Sequence, residues 1–309
     1  MILSCGESLI DMLPRESAAG EPAFAPYPGG AVFNTAIALG RLGVDAGFLS
    51  GISTDLFGEI LEQALAASNV DAGLSIRSDR PTTLAFVKLV NGHASYAFYD
   101  ENTAGRMITP ADLPDLPASV RAVFFGGISL VVDPCGGTYE ALMLRESAAG
   151  RLCMIDPNIR PGFIRDEAAY RARLERMLGA ADIVKLSDED LRWLMGPGEI
   201  DALARGILAQ GPKLVLITEG AEGARGISAA HEVFVPANKV EVVDTVGAGD
   251  TFNAGVLAAL DRAAALSKAQ VADASEALIR DCLSLGVAAA AVTVSRAGAN
   301  PPWASELGA

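Results

Sequence analysis

Cysteine and histidine are scarce in this chain of 309 residues, and their spacing excludes several kinds of site. The four cysteines lie far apart and form no CxxC pair: Cys5, Cys135, Cys153 and Cys282. Zinc sites and disulfide scaffolds need close or repeated cysteine spacing, so neither is indicated. We interpret the thiols as reduced side chains, buried as small hydrophobic groups. The two histidines, His93 and His231, have no partners in sequence for general-base chemistry, and we expect both at the surface.

Basic residues are also in deficit, with 24 Lys and Arg against 38 Asp and Glu and a net charge of -14. Nucleic-acid binding needs a basic face, so the balance argues against a nucleic-acid partner. It argues equally against an anionic membrane surface, which attracts basic segments. A polyanionic substrate would need its own local positive site in so acidic a chain.

Long hydrophobic runs are missing. No stretch of about 18 or more uninterrupted apolar residues marks a membrane span, and the richest stretch, Leu283 to Val294, predicts a buried helix. The opening segment, residues 1–16, is apolar but has no basic region, and we interpret it as a first β-strand rather than a signal peptide. These features predict a cytoplasmic protein.

What the chain does have is a regular alternation of short apolar runs with helical patterns from about residue 120 onward. Strands are expected at residues 121–130, 151–158, 182–187 and 213–220, and helices at 137–150, 166–181, 188–195 and 199–211. Fully apolar strands alternating with helices predict a three-layer, doubly wound α/β fold with a mainly parallel sheet. We expect a single domain over residues 1–309, with ligands at the carboxyl ends of the strands.

Two segments do not fit this alternation. Residues 9–30 carry four prolines, and residues 82–100 hold two alternating strands around Asn91-Gly92, a strong hairpin signal. Neither segment suits a parallel core. We therefore predict a small β-element, formed by about residues 9–30 and 82–105, that projects from the core as a lid and covers a site.

The stretch VDTVGAGDTFNAG, Val243 to Gly255, is the first that indicates chemistry. A strand-like run, residues 239–245, leads into Gly247-Ala248-Gly249-Asp250 and then into a helical pattern. Glycines at a strand-to-helix turn leave backbone N–H groups open to an anion such as phosphate. Asp250 beside that anion would accept the proton of an attacking hydroxyl; alternatively, it is only the N-terminal cap of the helix. The chain has neither a Walker A sequence nor a dinucleotide glycine fingerprint, which argues against a dehydrogenase.

The second stretch is PYPGGAVFNTAIALGRLG, Pro26 to Gly43. Gly29-Gly30 would let a polyol lie against the backbone, and Asn34 offers both a donor and an acceptor to hydroxyls. Asp11 follows the first expected strand, and its carboxylate would accept two sugar hydroxyls. The alternative is a Gly-Gly turn with Asn34 as an early-turn cap and Asp11 as a strand end.

These two stretches resemble the signatures of the ribokinase-like (PfkB-type) carbohydrate kinases. The signatures are a Gly-Gly-…-Asn stretch and a DTxGAGD stretch, here about 215 residues apart and in the right order. Within the family the sequence is most similar to the bacterial fructokinases, through GESLIDMLP, FYDENTAGRM, DPNIRPGF and SRAGANPP. The resemblance covers essentially the whole chain. It implies a ribokinase-like fold with a β-sheet lid and an ATP-dependent sugar kinase that uses Mg²⁺.

The resemblance also implies a role for individual residues. Asp250 matches the catalytic base of the family, and Gly247, Ala248 and Gly249 match its anion hole. The substrate-facing positions are Asp11, Gly29, Gly30, Asn34, Arg160 and, from the lid, Phe98 or Tyr99. The ATP-binding positions are Ser187, Thr218, Gly220, Gly223, Gly247 and Gly249. A monovalent cation such as K⁺ often lies near the anion hole, and its candidate ligands here are Asp244 and the carbonyls of Val246 and Gly298.

One motif departs from the family. An Asn-x-x-Glu motif commonly organises magnesium and its waters, and the matching stretch here is Ser187-Asp188-Glu189-Asp190. Asp190 would still hold a magnesium-bound water, because Mg²⁺ needs few protein carboxylates. The alternative is an acidic first turn of a helix with no role at the metal.

The substrate implied is a neutral hexose phosphorylated at a primary hydroxyl, with fructose first. The nearest competitor is 2-keto-3-deoxygluconate, whose kinases tend to carry an aromatic-aromatic-Arg trio in the lid. Here the trio is Phe98-Tyr99-Asp100, and we expect Asp100 to repel an acid sugar, although Arg106 and Arg160 keep that substrate open. A sugar- or nucleotide-binding protein without turnover is the alternative outside enzymes. The lid face is a dimer surface in this family, which implies a homodimer.

Overall fold

The strands and helices of a computed structural model, which describes residues 1–90 and 93–308, follow the alternation seen in the sequence. The strands are β1 (Ile2–Cys5), β2 (Leu9–Glu16), β3 (Pro22–Gly29), β4 (Ala46–Leu49), β5 (Gly51–Ser53), β6 (Val70–Asp71), β7 (Ile76–Ser78), β8 (Leu84–Val90), β9 (His93–Tyr99), β10 (Ala122–Gly126), β11 (Leu152–Asp156), β12 (Ile183–Ser187), β13 (Leu214–Thr218), β14 (Gly223–Ser228) and β15 (Glu232–Pro236). The helices are α1 (Ala31–Arg41), α2 (Leu56–Ala67), α3 (Cys135–Ala148), α4 (Glu167–Ala180), α5 (Asp188–Met195), α6 (Ile200–Leu208), α7 (Ala248–Arg262), α8 (Lys268–Ala272) and α9 (Glu276–Val294).

The central sheet has nine strands in the order β15-β14-β13-β12-β11-β10-β1-β4-β6. All neighbours pair in parallel except β13–β14 and β14–β15, which are antiparallel. Alternate residues of one strand enter two separate hydrophobic clusters, so that Phe124 packs on the side of α1, α7 and α9 and Val123 on the side of α3 and α4. This three-layer, mainly parallel α/β fold confirms the fold class predicted from the sequence.

A second sheet contains both segments that interrupt the alternation. Its order is β3-β2-β8-β9, with β2–β3 and β8–β9 antiparallel and β2–β8 parallel. The predicted small β-element is therefore present as a separate sheet. The predicted hairpin turn at Asn91-Gly92 lies outside the described residues.

Two expected strands are wrong. Residues 1–16 form two strands rather than one, because β1 joins the central sheet and β2 joins the small sheet after residues 6–8. Asp11 consequently lies within β2 instead of following a strand of the central sheet. Residues 239–245 form no strand: the backbone N–H of Val243 donates to the Val294 carbonyl (2.8 Å), and Val243 itself is 60% exposed. The alternating valines of this loop mimic a strand pattern, but they line a cleft described below.

Helix α9 contains the apolar stretch Leu283 to Val294 but begins earlier, at Glu276. By length and composition alone it could cross a membrane, and 44% of its most apolar window is buried inside the protein. It packs against α7, β14 and β15. One such helix is weak evidence for a span, because the core helix of a globular protein has the same composition.

Candidate active site

The turn that opens α7 has the geometry of an anion site. Gly247 caps the helix in the left-handed conformation (φ 79°), which a residue with a side chain rarely adopts. A Cβ at Gly247 would also lie 2.7 Å from the Cβ of Ala299. The Ala248 N–H donates to the Thr245 carbonyl over a long 3.4 Å, whereas among the described residues no backbone acceptor is recorded for the N–H groups of Gly249 and Asp250. These N–H groups lie at the positive end of the helix dipole. Asp250 is in this first turn and is only 7% exposed.

Asp250 connects the two sequence motifs. The Asn34 amide (Nδ2) donates to its carboxylate (Oδ2) at 2.9 Å, and the Thr35 hydroxyl donates to its backbone carbonyl at 3.1 Å. Burial raises the pKa of the Asp250 carboxyl to about 7, while the Asn34 hydrogen bond lowers it and the nearby Asp156 raises it. A carboxyl with a pKa near neutral pH is suited to accept a proton from a hydroxyl and release it again.

On the sugar-facing side, Asp11 pairs in register with Ala85 of β8, which in turn pairs with Phe98 of β9. Asp11 and Phe98 therefore share one face of the small sheet, with a small side chain between them. Gly29 lies against the Asp11 carboxylate, so that a Cβ there would collide with it. Burial raises the pKa of Asp11 to about 6. This face carries a carboxylate, an aromatic ring and a bare backbone.

Tyr99 is on the opposite face. It pairs in register with Leu84, it is 62% exposed, and its ring packs edge-on against Phe86 at 5.5 Å. Of the two aromatic candidates from the lid, the structure therefore brings Phe98, and not Tyr99, to the side of Asp11.

The expected repulsion by Asp100 is wrong in its physical basis. Asp100 is 6% exposed, and the Arg106 guanidinium donates to its carboxylate at 3.0 Å. The charge of Asp100 is thus neutralised inside the protein, and Arg106 is held by Asp100 rather than facing a ligand freely. Arg160, by contrast, is exposed just beyond the carboxyl end of β11 and donates only to its neighbour's carbonyl at Ile159 (3.1 Å) among the contacts recorded for it.

A cleft of about 660 Å³ runs along the carboxyl ends of β12 and β13 to the start of α7. Of the residues expected to bind ATP, it is lined by Ser187, Thr218, Gly220, Gly223 and Gly249, together with Ala248. Its other walls are largely apolar and include Val240, Val242, Phe252, Val287 and Ala291. An apolar slot that ends at an open helix N-terminus fits a flat ring joined to phosphates.

The motif that departs from the family makes local contacts. The Ser187 hydroxyl caps α5 by accepting from the Asp190 N–H at 3.0 Å, and the Asp190 carboxylate accepts from the Ile159 N–H at 3.2 Å. Burial and the neighbouring Asp156 raise the pKa of Asp190, which is 7% exposed. Within residues 1–90 and 93–308, no group of three or more acidic, cysteine or histidine side chains is arranged to hold a metal. The donors present suit an ion held mainly by phosphate oxygens and water.

The three residues that carry the candidate ligands of a monovalent cation are neighbours through their N–H groups, and the Gly298 carbonyl accepts the Asn300 N–H at 2.8 Å. One oxygen of Asp244 accepts from the Val246 N–H (3.0 Å) and the other from the Gly298 N–H (2.9 Å). Asp244 thereby joins the loop ahead of the anion site to the segment after α9. Carbonyl and carboxylate oxygens at such a junction are the donor type that K⁺ takes.

Four polar residues of the site were not predicted from the sequence. Lys185 in β12 is paired with Asp156 at 2.9 Å, and Asn253 of α7 donates to the same carboxylate at 2.7 Å. Glu7, 7% exposed, accepts the Ala31 N–H at 2.9 Å and so holds the start of α1, beside Gly29-Gly30. The signal was available for Lys185, because a single lysine inside a fully apolar strand needs a partner or a task.

Comparison with known proteins agrees with the site described above. Residues 1–306 match the model of the pfkB family carbohydrate kinases. The chain is 59% identical to a fructokinase of Rhizobium leguminosarum bv. trifolii over 281 residues, which is 91% of this chain and 86% of that protein. It is 34% identical to fructokinase-2 of Solanum lycopersicum over 99% of this chain and 94% of that protein. The structure of a fructokinase with bound ATP from Xylella fastidiosa superposes with a TM-score of 0.89 at 29% identity, covering 99% of this chain and 96% of that one.

A Vibrio cholerae O395 fructokinase double mutant, in a form with bound fructose, ADP and potassium ion, superposes with a TM-score of 0.84 at 25% identity. That match covers 96% of this chain and 93% of the other. The chain therefore belongs to the pfkB family of carbohydrate kinases, and the resemblance drawn from its motifs is confirmed. It is an ATP-dependent carbohydrate kinase.

Proposed function

We propose that this pfkB-family kinase transfers the γ-phosphoryl group of ATP to a primary hydroxyl of fructose, with Asp250 as the general base. The observation that supports the assignment is the 2.9 Å contact between Asn34 and Asp250, which joins the start of α1 to the first turn of α7. The identity of 59% to a Rhizobium fructokinase supports fructose as the sugar. In the reaction the hydroxyl proton passes to Asp250, the sugar oxygen bonds to the γ-phosphorus, and the bond to the bridging oxygen of ADP breaks.

The sugar would lie between the small sheet and the start of α1. Asp11 would accept two hydroxyls, Gly29 and Gly30 would allow the ring to approach the backbone, and Asn34 would bond a hydroxyl while orienting Asp250. Phe98 would cover the apolar face of the ring. Arg160, at the carboxyl end of β11, would face the sugar or the phosphate. In this arrangement the small sheet acts as a lid that excludes water from the transfer.

ATP would occupy the 660 Å³ cleft, with its base in the apolar part and its phosphates at Ala248 and Gly249, which line it, and at the neighbouring Gly247, which does not. Asp190 would hold Mg²⁺ through a bound water, and the ion would supply positive charge against the phosphates. The Vibrio fructokinase structure with potassium supports K⁺ as the cation at Asp244 and the carbonyls of Val246 and Gly298. There K⁺ would fix the loop that leads into the anion site.

We further propose that residues 1–309 form one domain and that two copies pair through the exposed aromatic part of the small sheet, on the face opposite Asp11. Phe24 (49% exposed) and Tyr99 (62% exposed) flank Phe86 there and form an aromatic surface. Exposed aromatic clusters of this kind mark interaction sites. The partners are then a sugar, ATP and a second copy, with neither nucleic acid nor membrane, and the four buried thiols suit the cytoplasm.

A second candidate substrate is 2-keto-3-deoxygluconate. The ion pair between Asp100 and Arg106 favours keeping it, because a neutralised Asp100 does not repel an acid sugar. The exposed Arg160 would then anchor the carboxylate. A protein that binds these ligands without turnover is favoured only by the local contacts of Ser187 and Asp190, which need no metal.

The test is ADP release from ATP and Mg²⁺ against fructose, 2-keto-3-deoxygluconate, ribose, tagatose and adenosine, with and without K⁺. Turnover with fructose at the highest kcat/KM supports the proposal. Turnover only with the acid sugar would assign the second candidate, and Arg160→Ala would then raise its KM selectively. ADP release independent of every sugar, or none at all, would contradict both substrates.

A further inference from the structure

Lys185 is a charged side chain buried in the middle of the protein. It lies in β12, its side chain is 5% exposed, and its Nζ is 2.9 Å from Asp156, itself 2% exposed. Taking an ammonium and a carboxylate out of water costs several kcal/mol per ion, so a buried ion pair adds little stability over an apolar pair of similar volume. The presence of this pair beside the site therefore needs a functional reason.

The Asp156 carboxylate is the fixed part of the pair. One oxygen accepts from Lys185 and from the Asn253 amide (2.7 Å), and the other accepts from the Asn158 N–H at 3.2 Å. The Lys185 ammonium has three N–H donors. Among the described residues, the only acceptor recorded for them is Asp156, so further donors are available to a ligand.

The free side of Lys185 points to the anion site. A Cβ built on Gly249 would lie 3.0 Å from the Lys185 Nζ, the one atom of the described residues that it would meet within 4 Å outside its chain neighbours and the backbone of its own helix. The ammonium thus lies against the first turn of α7, at the residue that precedes Asp250. Three carboxyl groups are close by, on Asp156, Asp190 and Asp250, and apart from Lys185 the cation recorded near Asp190 is Arg160, which is exposed beyond β11, whereas ATP brings several negative charges of its own. A cation at this position supplies local positive charge to the phosphates of ATP in a chain whose net charge is -14.

We propose that Lys185 is a catalytic residue that contacts the γ-phosphoryl group and stabilises the charge on it during transfer, with Asp156 and Asn253 as positioning residues. This inference rests on the proposed assignment of the cleft and of Asp250. The step takes no proton from Lys185: the hydroxyl proton goes to Asp250, the new bond joins the sugar oxygen to phosphorus, and ADP leaves with the bridging oxygen. Gly249 has no side chain because one would press on the ammonium.

The test uses Lys185→Met, the double variant Lys185→Met/Asp156→Asn and a matched control, Lys268→Met. The double variant leaves no unpaired buried carboxylate and keeps the proposal testable where the single variant folds poorly. Lys268 makes the same kind of pair, 2.8 Å from Asp182, but at the opposite end of β12. Calorimetric titration of ATP, ADP and AMP without sugar gives the dissociation constants, and steady-state assays give kcat.

Removal of the ammonium is expected to lower kcat by about 100-fold or more, as for loss of a donor to a developing anion. The Kd for ATP is expected to rise about tenfold, while the values for ADP and AMP change little, because only ATP has the γ-phosphate. Lys268→Met should change neither kcat nor the Kd for ATP. Equal losses for ATP and AMP, or a kcat within about threefold of the wild type in both Lys185 variants, would overturn the proposal. Because the titrations contain no sugar, the dissociation constants test the role of Lys185 even if the assignment of the sugar is wrong.

Discussion

Asp250→Asn is the substitution for which the site predicts opposite effects on stability and on activity. Burial raises the pKa of the Asp250 carboxyl from 3.8 to about 7. The folded protein therefore keeps this proton over a pH range in which the unfolded chain has lost it, and folding becomes less favourable as the pH rises through that range. At about 1.36 kcal/mol per pKa unit, the ionised carboxylate costs up to about 4 kcal/mol of stability above pH 7. An asparagine has no charge to bury and still reaches Asn34.

The assay is urea unfolding of the wild type and the variant at pH 5 and pH 8. The gain in free energy of unfolding from Asp250→Asn is expected to grow by about 2 to 3 kcal/mol between these two pH values, while kcat falls by about 1,000-fold. Asp261→Asn is the control, because Asp261 lies in the same helix but pairs with Arg121 outside the site. A gain that does not change with pH would refute the reasoning, since the carboxyl would then ionise as it does in the unfolded chain.

Three further predictions concern the same site. Asn34→Ala removes the hydrogen bond that lowers the pKa of Asp250, so the lower limb of the pH profile of kcat/KM should move to higher pH; a profile that keeps its midpoint would contradict this. Burial raises the pKa of Asp11 to about 6, so the KM of the wild type for sugar should rise as the pH falls from 7 to 5. Asp11→Asn should raise this KM by about tenfold or more and remove its dependence on pH. Gly247→Ala should cost about 1 to 2 kcal/mol of stability, because it forces a side chain into the left-handed region. Gly249→Ala should instead leave the melting temperature nearly unchanged and abolish turnover. Equal effects of the two substitutions on stability would be evidence against the described turn.

Much of the fold could be predicted because buried parallel strands are continuous apolar runs. The expected strand at residues 182–187 and helix at 188–195 coincide with β12 and α5 to within one residue. The strand predicted at residues 239–245 was wrong because alternating valines are typical of a strand, whereas Val240 and Val242 line the wall of a cleft. Period alone does not distinguish a sheet neighbour from a ligand cavity.

The candidate site was only partly predictable. The glycine motifs indicated an anion and a polyol, because a bare backbone has few other uses at the start of a helix. The contact of Asn34 with Asp250 joins residues 216 positions apart and depends on the packing of α1 against α7. The ion pair between Asp100 and Arg106 could not be predicted from the sequence either. Because of this pair, Asp100 does not present a free negative charge to an acid sugar, as the sequence had led us to expect. Lys185 stood alone in an apolar strand, with its partner in another strand.

The most direct test of the central claim is a ³¹P NMR spectrum of the reaction of the wild-type protein with ATP, Mg²⁺ and fructose. Transfer to a primary hydroxyl predicts that the γ-phosphate signal of ATP is replaced by a phosphomonoester signal split by two methylene protons, with ADP formed in equal amount. Inorganic phosphate as the only product, or a phosphomonoester coupled to a single proton, would contradict the claim.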